Sequence, residues 1–231
     1  MGLKHFERIF RNEEANAVLF EQVYGILTEL IPEVNTPARP LMKKDVETVF
    51  QVIDEVYLNN FFKQNYLNQF CFKTSNRMTA SGANIRTSNM CEFTITVSNV
   101  ILGKAYNQIE NLPKTVNGLD CVDRLSALVR VVEHEIGHAI EFINYGKSGH
   151  GRRFKDLVNN TFGHTDVCHA LKREGPVSTI EQNLSAGDEV KFNHNNQTYQ
   201  GKITRITKRA TIHIKNRKWY VPLDCLIKVV A

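Results

Sequence analysis

The chain has 231 residues, 42% of them apolar, and a formal net charge of +5, a composition that suits a globular protein with one sizeable core and a small second module. No run approaches the roughly 18 consecutive apolar residues of a membrane-spanning helix, since Arg130 interrupts even Leu125 to Val132, and Met1 to Phe6 lacks both an export-signal core and the Ser or Thr of an N-acylation site. Five widely spaced cysteines with no Cys-x-x-Cys pair argue against a disulfide framework or a zinc ribbon and point to a reducing, intracellular setting.

Apolar residues from Val18 to Leu30 recur at helical spacing and predict a helix over 13–31 that ends before Pro32. Three prolines between 32 and 40 mark a connector, so residues 1–40 form an N-terminal helix and linker. A second helix is predicted over 44–62, with Val46, Val49, Phe50, Ile53, Tyr57 and Phe61 on one face. Between Asn68 and Val100 the pattern changes to short strands and hairpins, predicting a small antiparallel sheet. A polar stretch, Lys104 to Gly118, leads to a third helix over 122–144, with Asp123 in its first turn, where a negative charge is favoured. A glycine-rich turn, 146–151, separates it from a fourth helix over 153–162. The polar residues 172–183 then read as an inter-domain linker, closing a mixed α+β domain over 41–172. Residues 184–231 contain short strands broken by Asn, Gly and Lys turns, enough for a small all-β barrel of the SH3-like or Tudor-like kind.

The third helix contains His134-Glu135-Ile136-Gly137-His138. At i and i+4 the two imidazoles lie on one face, about 6 Å apart along the axis, so both can reach one tetrahedral Zn²⁺. Glu135 is placed to act as general base on a metal-activated water. Chance alone gives roughly 0.02 such matches in a chain of this composition. A catalytic zinc takes three protein ligands and one open position. His150, past the glycine-rich turn, is the preferred third ligand; Glu141, His164 and His169 are its rivals. Glu141 reads more simply as a solvent-exposed residue, and His164 and His169 as groups that cap or pack a helix end. The expectation is one Zn²⁺ per chain, held by His134, His138 and His150, with Glu135 catalytic.

Three segments together resemble the SprT-like, or Spartan-like, zinc metallopeptidases: His134-Glu-Ile-Gly-His138, then His150-Gly151-Arg152-Arg153-Phe154, and the stretch Arg77 to Gly82 followed by Phe93 to Ser98. The resemblance covers roughly residues 42–165. It implies a small zincin-like catalytic domain with zinc in an open groove. It also implies cleavage of protein substrates, in some members proteins bound or crosslinked to DNA. Some bacterial relatives carry a C-terminal zinc ribbon; here a basic module stands in its place.

Residues 184–231 carry nine Lys/Arg against three Asp/Glu, a net of +6, which leaves −1 for the rest. Lys208, Arg209, Lys215, Arg217 and Lys218 lie near Trp219 and Tyr220, a mixture of cations and aromatic faces that fits DNA or RNA. A Trp-Tyr pair in so small a module equally fits packing. Arg152, Arg153 and Lys155 read either as steering charges or as the wet face of a helix, and Phe154 as core. The competing reading of the whole chain is a non-catalytic zinc-containing nucleic-acid- or protein-binding protein; a further one is hydrolysis of a non-peptide amide at the same site.

Overall fold

The computed structural model describes residues 12–36, 39–106, 114–168, 171, 184–194, 197–207, 209–214, 217–223 and 226–229. The predicted linker 172–183 and residues His169, Lys208 and Lys215 lie outside them. The chain divides into two compact units, Met1–Arg173 and Glu174–Ala231, each with its own apolar core.

The first unit opens with α1 (Glu13–Leu30), capped by the Asn12 side chain on the Ala15 amide, and a short 3-10 helix (Pro32–Asn35). The predicted second helix is two helices, α2 (Lys43–Leu58) and α3 (Phe61–Asn65). The break has a local cause: Asn59 and Asn60 both take positive φ, a conformation Asn tolerates better than most residues. The buried Asp54 carboxylate then accepts the Phe62 and Lys63 amides at 2.9 Å each, starting the new helix.

The three strands β1 (Phe70–Ser75), β2 (Ala83–Thr87) and β3 (Phe93–Ser98) form one sheet in the order β1-β3-β2. The β2–β3 hairpin is antiparallel, but β1 runs parallel to β3, so the sheet is mixed rather than antiparallel as expected. β3 takes the centre because Phe93, Ile95 and Val97 alternate into the core, whereas β1 and β2 bury fewer residues and serve as edges. Within the polar stretch 104–118, α4 (Asn99–Tyr106) continues to 106, and β4 (Thr115–Val116) pairs with β5 (Leu119–Asp120).

Helix α5 (Arg124–Tyr145) runs through the core, every residue from Arg124 to Gly137 being buried. Asp123 is its N-cap, accepting the Ser126 amide at 2.8 Å as well as Tyr24 Oη and Asn35 Nδ2 at 2.6 Å each. Arg124, in the first turn, donates to the carbonyls of Val34, Thr36 and Arg39. Helix α6 (Arg152–Phe162) packs across α5. The contact is close because residue 137 is glycine: a Cβ there would stand 2.5 Å from Val158 Cγ1 and 3.1 Å from Phe154 Cε2.

The second unit is a five-stranded antiparallel sheet of β6 (Glu189–His194), β7 (Gln197–Ile206), β8 (Arg209–Ile214), β9 (Arg217–Pro222) and β10 (Ile227–Lys228), in the order β10-β6-β7-β8-β9. Val190, Phe192, Ile203, Ala210, Ile212 and Val221 fill its inner face.

Candidate metal centre

The side chains of His134 and His138 project from one face of α5. Left-handed Gly146 ends that helix, and the following turn brings His150 back over the same face. The three Nε2 atoms form a nearly equilateral triangle, with separations of 3.0, 3.1 and 3.1 Å. A cation about 2.0–2.1 Å from each nitrogen would stand about 1 Å above their plane, leaving its outer side open, as a tetrahedral three-histidine site requires. This group is the set of His, Cys, Asp and Glu side chains placed to hold a metal ion among the described residues.

One of the donors, His138, is also held in the right chemical form. Ser148 Oγ has one hydrogen, which it donates to Glu141 Oε2 at 2.7 Å. It must therefore accept from His138 Nδ1, 2.7 Å away. The proton of His138 is thereby fixed on Nδ1, and the Nε2 lone pair faces the centre. Burial and then the neighbouring His150 push the His138 pKa down to about 4, against the opposing pull of Glu141, so the ring is neutral and able to ligate at ordinary pH.

Glu141 is not the exposed residue the sequence implied. It is 2% exposed and fastens the third-ligand turn to α5, accepting Ser148 Oγ, the Gly149 amide at 3.1 Å and Arg153 Nε at 2.8 Å. Arg153 also lies 3.8 Å over the Tyr145 ring, so it is a structural clamp, while Arg152 projects into solvent. Phe154 is buried, and its ring meets all three imidazoles, stacked on His138 at 4.2 Å and edge-on to His134 and His150 at 4.9 and 5.3 Å. Sequence reading placed it in the core; its part in holding the imidazoles emerges only when α6 crosses α5.

Glu135 is 4% exposed beside this centre, and burial pushes its carboxyl up to about 8 against the opposing Ile85 amide. A divalent cation nearby favours the ionised form. Glu135 and the three histidines share a cleft of about 540 Å³, walled by Ala80 to Ile85 on one side and by Val116 and Asn117 on another. Among the described residues β2 pairs only with β3, so this wall includes a sheet edge.

His164 lies elsewhere. Its Nε2 donates to Glu133 Oε2 at 2.9 Å, and Glu133 also pairs with Arg130 at 3.0 Å, all three being buried. Of the proposed nucleic-acid residues, Arg209, Arg217 and Lys218 are exposed, whereas Trp219 packs on Phe192 and Tyr199 with centroids 5.5 and 4.8 Å apart. Its neighbour Tyr220 is the exposed ring, at 65%.

A three-histidine centre built from a buried helix and the turn beyond it, with a carboxylate beside it in an open cleft, defines a protein able to bind a metal ion. Residues 46–173 match the SprT-like family, and the chain belongs to it. No curated protein and no solved structure matches the chain.

Proposed function

We propose that this protein is a zinc metallopeptidase in which His134, His138 and His150 hold one zinc ion and Glu135 is the general base. The convergence of three Nε2 atoms within 3.1 Å of one another, in one cleft with Glu135, carries the reading. Three imidazole nitrogen donors with an open fourth position suit zinc better than magnesium or calcium, which prefer oxygen. Bound zinc supplies Lewis acidity to a scissile carbonyl and to water. Glu135 accepts a proton from the attacking water and returns it to the leaving amine. The β2 edge beside the cleft offers an extended polypeptide a strand to pair with, which favours protein over small amides as substrate.

The second unit, read as an SH3-like barrel, serves as a nucleic-acid-binding module that brings the peptidase to DNA- or RNA-bound proteins. The free thiols of Cys71, Cys91, Cys121 and Cys168 suit an intracellular setting. The decisive comparison is wild type against Glu135→Gln, each incubated with DNA-binding proteins with and without DNA. One zinc per chain in both, with cleavage only by wild type, is the expected result; cleavage by Glu135→Gln at the wild-type rate would reject the mechanism.

A further inference from the structure

The second unit places its cations by strand geometry. Side chains of a β-strand alternate between faces, and directly paired residues share a face. Lys202, His213 and Lys218 are register partners across β7, β8 and β9. So are Arg205, Thr211 and Tyr220. Regular alternation would put Lys202 and Arg205, three residues apart, on opposite faces. The register shifts between Ile203 and Arg205, and this bulge at Thr204 turns both toward solvent while Ile203 stays in the core. Arg209, paired with Pro222 two positions beyond Thr211, lies on the same side.

The result is one outward surface bearing Lys202, Arg205, Arg209 and Lys218, all exposed, around the Tyr220 ring. Among the described residues none of these four cations is in an ion pair; Lys228, by contrast, is paired with Asp188 at 2.8 Å. Among the described residues the acidic neighbour of the surface is Glu189, opposite Lys202 on β6 and already accepting from Gln200. Trp219 belongs to the other face, against Phe192.

We infer that this bulge-assembled face binds a single-stranded polynucleotide, with phosphates on Lys202, Arg205, Arg209 and Lys218 and one base stacked on Tyr220. It rests on the nucleic-acid role proposed above for the second unit and specifies the surface and the form of the ligand. An exposed ring among unpaired cations is the combination that single strands use. Paired bases in a duplex keep their faces covered, so a duplex could use the charges but not the ring. The cations and the ring address features that DNA and RNA share.

The test is fluorescence anisotropy of the full chain with labelled oligothymidylate and oligouridylate of roughly 16 nucleotides, between about 50 and 200 mM salt. Both should bind more tightly than duplex DNA. Tyr220→Ala should weaken binding about tenfold while leaving the salt slope unchanged. The double variant Lys202→Gln, Lys218→Gln should lower the slope of log K against log salt by about 0.7 per cation removed. Wild-type binding that neither variant alters would overturn this surface while leaving the nucleic-acid role intact, as would tighter binding of duplex; displacement of the oligonucleotide by polyglutamate at equal charge would overturn both the surface and the role. A wild-type chain that binds no nucleic acid at low salt would overturn the role and the surface together. The peptidase reading is judged separately, by Glu135→Gln.

Discussion

Glu141 gathers the Ser148 hydroxyl, the Gly149 amide and the Arg153 guanidinium around one buried carboxylate, and through Ser148 it sets the tautomer of His138. Glu141→Gln keeps the shape and removes the charge. It should weaken metal binding by roughly 10–100-fold, measured by competition with a chromophoric chelator. Unchanged affinity would show that the turn carrying His150 is held by other contacts. The sequence showed the ligand candidates because histidines at i and i+4 declare a shared face without any tertiary information. It did not show Glu141, because the partners of a carboxylate three residues past His138 depend on how the chain folds back after Gly146. His164 is similar: only the tertiary structure reveals the carboxylate it meets, 31 positions earlier in the chain.

Between elements, the tightest constraint is the crossing of α5 and α6 at Gly137. Alanine there would gain about 1 kcal/mol of helix propensity, but its methyl would be forced against Val158 and Phe154. Val158 is β-branched and stiff, and Phe154 is already pressed against three imidazoles. Overpacking at about 1–3 kcal/mol therefore wins. Gly137→Ala should lower the melting temperature of the first unit by a few degrees and weaken metal binding; an equally stable or more stable variant would refute the packing argument. Periodicity exposed α1, α5 and α6 because each buries a continuous stripe. It missed the split between α2 and α3, where two asparagines interrupt an otherwise unbroken pattern. It also missed the parallel β1–β3 pairing, since alternation tells which residues face inward but not which strand lies alongside or in what direction.

At the level of the whole molecule, two separate cores predict two unfolding transitions, and buried histidines make the first sensitive to acid. His138 and His164 both have pKa values depressed below the usual 6.5, chiefly by burial. For His164, Arg130 already balances Glu133, and among the described residues Nδ1 has no acceptor, so a second proton would be unwelcome. At these two rings the unfolded chain therefore takes up protons first as pH falls through about 6.5, and the stability they contribute above that value is lost below it. His138 alone should cost the metal-free protein about 1 kcal/mol at pH 5.5. In the same range the buried Glu135 carboxyl, pushed up to about 8, takes up its proton in the folded state first and works in the opposite direction. Thermal melts of metal-free Glu135→Gln from pH 7.5 to 5.5 therefore check the histidine effect; a first transition of that variant that holds steady or rises on acidification would contradict it. The uneven charge between the two parts of the chain was plain from composition. Which cations share a surface was not, because a single inserted residue in β7 reverses the alternation for everything beyond it.

The anchoring of α5 has its own consequence. Arg124 finds its acceptors at Val34, Thr36 and Arg39, and Arg130 rests 3.6 Å over the ring of Phe20. All of these precede residue 46, where the family match begins. The stretch marked by common ancestry is thus shorter than the stretch that packs as one core: trimmed to the former, the helix bearing the histidine pair would keep Arg124 facing inward with none of these acceptors, and Arg130 with Glu133 but without the ring that covers it.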